Sequence, residues 1–127
     1  MPHYSRLCTV VIDVPESDHD AELAFWRAAT GHKLDQVGKY PEYHWAQLQG
    51  QECWMLVQRT GTGPARVHVD IHTDDLDAEV ARLEQLGAQR VRQSHTWWVM
   101  RDPAGLVFCV VPDPPGTLTV ANARCWD

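Results

Sequence analysis

The sequence predicts an α+β fold built from two βαβββ modules. Three observations carry this: an internal repeat, an alternating apolar run opening each copy, and an acidic helix start closed by a glycine stop. The segment Val10 to Gly31 resembles Val67 to Gly87 at a nearly constant offset. Asp13 answers to Asp70, Asp20-Ala21-Glu22 recurs as Asp77-Ala78-Glu79, and Leu23-Ala24 is echoed by Val80-Ala81. Units this small cannot bury an apolar face alone, so a duplication within one chain implies two equivalent units packed together.

Each unit opens on a strand. Val10, Ile12 and Val14 alternate with Val11 and Asp13, and Val67, Val69 and Ile71 alternate with His68, Asp70 and His72. A helix follows, with Asp18 and Asp20 at the start of the first, and Asp74, Asp75 and Asp77 at the start of the second. Carboxylates there accept from free amides and oppose the helix dipole. Leu23, Trp26 and Ala29 form the expected apolar face of the first helix; Leu76, Val80, Leu83 and Leu86 form that of the second. Gly31 and Gly87 end them, and Trp26 is expected in the core. Three short strands then follow each helix: about 32–37, 43–49 and 51–59, and about 88–94, 96–101 and 106–111. Module one spans about 7–60 and module two about 65–112. The loop Gly61-Thr62-Gly63-Pro64 joins them, and a turn-rich tail fills 113–127, giving one domain over 1–127.

Composition bounds the function. The 127 residues are 44% hydrophobic and 22% charged, ordinary for a globular domain. A formal charge of -6 and a pI near 5.5 do not suit phosphate neutralisation, so no nucleic-acid partner is expected. Apolar runs such as Leu106 to Val111 are far too short for a bilayer span, and no basic region precedes an apolar stretch at the start. No membrane partner and a cytoplasmic location are expected. Cys8, Cys53, Cys109 and Cys125 have no CxxC spacing and read as buried free thiols. Gly61-Thr62-Gly63 is too short for a phosphate-binding loop.

The duplicated unit, His68 near the start of its second copy, and Asp102-Pro103-Ala104-Gly105 before an apolar strand together resemble the vicinal oxygen chelate superfamily. This is the glyoxalase, bleomycin-resistance and dioxygenase group. Phe25-Trp26, Gly31 and Arg66-Val67-His68-Val69-Asp70 add to the likeness, which covers nearly all of residues 7 to 112. The resemblance implies curved mixed sheets around a cleft with helices on the outer face, assembly as a homodimer, and, in metal-dependent members, ligands on the first and last strand of each module. In this chain those slots match His68 and Cys109 in the second module. In the first they match Val11 or Thr9, and Gln58 or Leu56. Only His68 is a strong ligand among them, so no cofactor is expected, with a divalent metal as the alternative.

Period-two alternation puts His68, Asp70 and His72 on one strand face, the face that the resemblance directs into the cleft. The bland reading is a solvated polar stripe; the functional one gives His68 a ligand-orienting or acid/base role. Six tryptophans are many for this length, and of the adjacent Trp97 and Trp98 one must share the cleft face. His68, Asp70, His72, Gln58, Trp97 or Trp98, and Cys109 are therefore the candidate ligand-binding residues, with His68 the one candidate metal ligand. Cys109 as a nucleophile is disfavoured by its apolar strand. The expected function is binding of a small apolar or aromatic molecule. The alternatives are a metal-dependent lyase, isomerase or dioxygenase, and a plain interaction module.

Overall fold

The computed structural model describes residues 2–48, 53–61 and 63–127. The strand ends expected at 49, 51 and 52, and Thr62 of the joining loop, lie outside the described residues. The chain forms two compact units, Thr9–His68 and Met1–Cys8 with Val69–Asp127. The start of the first strand thus belongs to the second unit, a division that the repeat does not reveal.

In the first unit, β1 (His3–Pro15) leads through a single 3-10 turn into α1 (His19–Thr30), then β2 (Asp35–Val37), β3 (Tyr40–Gln47) and β4 (Trp54–Thr60). β4 runs parallel to β1, and β3 and β2 follow antiparallel, in the order β2-β3-β4-β1. A parallel pair needs a long crossover, and α1 lies within it. Ile12 and Val14 on β1 and Met55 and Val57 on β4 cluster with Leu23 and Trp26 of α1. Val14 and Val57 are fully buried, each stabilising by roughly 1.5–3 kcal/mol relative to exposure. The helix ends as expected, with Gly31 left-handed at φ 75° and its amide donating to the Arg27 carbonyl.

Two expectations change. Ala29 is exposed, and Leu34 fills the core instead from the loop after the helix. Residues 32–34 are therefore not strand. Leu34 sits at φ 50°, a conformation that costs a branched residue about 1 kcal/mol or more and that complete burial offsets. The Arg27 guanidinium holds this loop by donating to the carbonyls of Lys33 and Leu34 at 2.6 and 3.0 Å.

The second unit repeats the scheme: β5 (Arg66–Thr73), which enters this unit at Val69, then α2 (Leu76–Gln85), β6 (Gln89–Ser94), β7 (Trp97–Arg101) and β8 (Val107–Pro112). β8 is parallel to β5, and the order is β5-β8-β7-β6. Val80 and Leu83 of α2 pack with Met100, Phe108 and Val110. Asp75 caps α2 by accepting from the Ala78 amide at 3.1 Å. Leu86 is 65% exposed, because the helix has already ended before it. The turn between β7 and β8 explains the Asp-Pro-x-Gly motif: Asp102 Oδ1 accepts from the amides of Ala104 and Leu106, and Gly105 takes φ 93°. The whole is an α+β fold of open, mixed strands, as expected.

The tail carries an unforeseen strand, β9 (Arg124–Trp126), antiparallel to His3–Ser5 of β1. Three residues are too few for alternation to announce it. Beneath it lies a fully buried charge: Glu79 accepts from Arg82 Nε and Nη2 at 2.6 and 3.0 Å and pairs with His3 Nε2 at 2.9 Å. Arg82 in turn stacks on the Trp126 ring at 3.9 Å, and Trp126 Nε1 donates to Ser5 Oγ. None of the four cysteines forms a disulfide; Cys8 and Cys109 are buried as expected, but Cys53 is half-buried and Cys125 exposed, because β9 lies at an edge. No helix among the described residues is long and apolar enough to cross a membrane.

Burial alone pushes the Glu79 carboxyl up, but hydrogen bonds from Arg82, Ser5 and His3 hold it below its usual value. Its stabilisation is therefore present above the ordinary glutamate range and is lost as pH falls through the lowered folded value. Glu79→Ala should lower unfolding stability by about 3 kcal/mol, the scale of breaking a buried ion pair, and flatten the acid limb of stability against pH. Urea melts from neutral to acid pH test this, and a loss under about 1 kcal/mol would contradict a buried pair.

Candidate functional site

The face of the first unit turned away from α1 is built by strand register. Three rows cross it: Asp13, Gln58 and Tyr43; Val11, Leu56 and Trp45; Thr9, Trp54 and Gln47. Residues opposite one another in paired strands share a face, so each row presents its side chains together. Trp45 and Trp54, on adjacent rows, have ring centroids 4.6 Å apart. His68 joins the polar row, its Nδ1 2.6 Å from Asp13 Oδ2, and Arg66 Nε lies 3.6 Å from the same oxygen. Asp13 is almost fully buried, while Gln58, Tyr43 and His68 are partly open. Burial, with Glu42, Tyr40 and Asp13 adding negative charge, raises the Tyr43 pKa and keeps its phenol protonated.

A buried carboxylate on one ring nitrogen fixes the tautomer and orientation of the other. His68 is thus an imidazole held by the aspartate of the polar row, on a sheet face that also presents Gln58, Tyr43 and the two indoles, whose planes are tilted by 37°. Sequence reading placed Gln58 and His68 in the site and missed Asp13, Tyr43, Trp45 and Trp54. The repeat held the signal for Asp13, since it is the partner of Asp70; the others depend on hairpin lengths that only the register reveals.

In the second unit, Asp70 lies opposite Cys109 and Cys109 opposite Val99. The register matches that of the first unit: Gln58 stands to Asp13 as Cys109 stands to Asp70, so Gln58 rather than Leu56 is the equivalent of Cys109. By the same repeat Val11, not Thr9, is the equivalent of His68. Trp97 alternates with Trp98 and shares the face of Val99, whereas Trp98 packs on the α2 side with the core. β5 carries His68 and Asp70 two residues apart, and β8 sets Cys109 opposite Asp70. Within the second unit this register sets a carboxylate and a thiol opposite each other, two groups of the metal-ligating kind.

His72, at the end of the same stripe, is half-buried and has its Nδ1 2.8 Å from Asp113 Oδ1. Burial alone lowers its pKa, but hydrogen bonds to Asp113 and Cys8 outweigh this and raise it to about 9. Its raised folded value stabilises the protein fully below the ordinary histidine range, and this contribution is lost as pH rises through about 9. The His72 ring should therefore titrate at about 9 by NMR, and Asp113→Asn should return it toward neutrality. Titration of His72 near pH 6.5 in the unaltered protein would contradict the pairing.

The glyoxalase-like domain family matches residues 9–111. A search of the curated proteins finds no match. Among solved structures, methylmalonyl-CoA epimerase from Mycobacterium tuberculosis superposes with a TM-score of 0.60 at 17% identity, covering 85% of this chain and 88% of that one. A hypothetical protein from Bacillus halodurans gives a TM-score of 0.66 at 12% identity over 91% and 99%. A mutant 4-hydroxymandelate synthase from Streptomyces coelicolor gives 0.57 at 12% identity, covering 84% of this chain and 48% of that one. At these identities the structures speak for the fold alone. With the family match spanning most of the chain, and with two βαβββ units and the Asp102 turn in place, the protein belongs to the glyoxalase-like domain family of the vicinal oxygen chelate superfamily.

Proposed function

We propose that the chain binds a small molecule with a flat apolar or aromatic part on the open sheet face of its first unit, in the manner of glyoxalase and bleomycin-resistance proteins. The observation that carries this reading is one sheet face that holds the Asp13-bound His68, Gln58 and Tyr43 together with the paired rings of Trp45 and Trp54. Small-molecule sites combine apolar area with a few directed polar groups, and this face has both. The indoles supply stacking area, while Gln58, Tyr43 and His68 supply donors and acceptors for an oxygen-bearing edge. His68 can also hold or move a proton at its ring nitrogen, with Asp13 orienting the ring from Nδ1. Structures of this fold include methylmalonyl-CoA epimerase in complex with methylmalonyl-CoA, a carbonyl-bearing ligand of this general kind. Asp70, His72, Trp97 and Cys109, on the second unit, are proposed as ligand-binding residues of that unit. A cytoplasmic homodimer completes the reading, and light scattering that shows only monomer would remove the dimer.

A second reading is favoured by the donor set His68, Asp70 and Cys109. These residues would hold a divalent ion, and that ion would act as a Lewis acid on a substrate oxygen. His68 would then be a ligand with Asp13 as its orienting partner.

A fluorescence screen of aromatic and carbonyl compounds, with and without added divalent metal, separates the readings. Binding should quench tryptophan emission. His68→Ala should weaken it by about 1 kcal/mol or more, the usual scale for a lost hydrogen bond, and Trp45→Ala should weaken it further. Affinity unchanged in both variants would sink the site. Affinity that appears only with metal and vanishes in Cys109→Ala would favour the second reading.

A further inference from the structure

Beyond that reading, on the α1 side of the first unit, two histidines meet that the proposed function does not use. His19 is the first residue of α1, and its side chain is 5% exposed. His44 lies on β3 opposite the fully buried Val57, so it faces the core and the helix. Their ring centroids are 5.3 Å apart and the planes are tilted by 49°. His19 Nε2 and His44 Nδ1 are both buried, and neither has a hydrogen-bond partner among the described residues. Buried ring nitrogens are rarely left unpaired in a stable core.

We propose that His19 and His44 form a binding site for a divalent transition-metal ion that prefers imidazole, with zinc as the fitting case. Two imidazoles bound to one tetrahedral ion at about 2.0–2.1 Å per bond stand with their ring centres about 5 Å apart, which the 5.3 Å separation matches. The surrounding charges leave the nitrogens available. Arg27 is engaged by the Lys33 and Leu34 carbonyls, and Arg59 lies 3.7 Å from Glu16. Asp20 Oδ1 lies 3.9 Å from His19 Nδ1, beyond hydrogen-bond distance, and supplies negative charge close to the pair. The site ties the start of α1 to β3, so occupancy would stiffen the helix against the sheet.

The test is titration of the full-length protein with zinc ion alone, by calorimetry and by histidine ring ¹⁵N NMR. A His68→Ala, Cys109→Ala background removes the other donor set. One zinc should bind in that background, moving the resonances of His19 Nε2 and His44 Nδ1. His19→Gln and His44→Gln should each weaken binding by at least about tenfold, since loss of even an outer-shell partner costs about 10–100-fold in metal affinity. Zinc affinity unchanged from the background protein in both variants, shifts confined to other histidines, or no binding tighter than millimolar would each overturn the proposal. The NMR assignment on unsubstituted His19 and His44 decides the matter even if a glutamine variant fails to fold.

Discussion

Parallel pairing of the first and last strand in each unit is the constraint on which the rest depends. A parallel pair cannot be closed by a tight turn, so the chain must leave the sheet and return, and here each return includes one helix. That helix covers one face. Every residue on β1, β4, β5 and β8 is thereby sorted: Val14, Val57, Ile71 and Val110 go to the helix, and Asp13, Gln58, Asp70 and Cys109 go to the other side.

The sorting concentrates chemistry. On the face without a helix, polar side chains need not find partners within an apolar core, so residues such as Gln58 and Tyr43 persist there at modest cost. Asp13 is nearly fully buried there, and it has His68 and Arg66 as cationic or donor partners. The same logic explains Glu79 in the second unit, where a buried carboxylate is tolerated because Arg82, His3 and Ser5 surround it. One carboxylate holds a histidine that faces the open side; the other fastens the chain termini to α2.

The duplication also shows where the two copies have diverged. Asp13 and Asp70 occupy equivalent places, yet their register partners are an amide in one unit and a thiol in the other, and the positions two residues earlier are Val11 and His68. Symmetric topology therefore supports asymmetric chemistry. The first unit sets an amide opposite its aspartate and carries two indole rings on that face, and the second sets a thiol there.

The sequence by itself determined the two modules, their helices and the turn at Asp102, because those features follow from local rules: alternation, capping and glycine at left-handed positions. It also singled out His68, Asp70 and His72, since shared face follows from period two alone. Only the tertiary structure decided what these residues meet. Asp13 on His68, Asp113 on His72, Trp45 against Trp54 and His19 against His44 are contacts between segments far apart in the chain or across a hairpin. Their formation depends on strand register and loop length. Trp97 and Trp98 show the boundary: alternation requires that they part, but which of them packs on α2 is settled by the pairing of Trp98 with Val110.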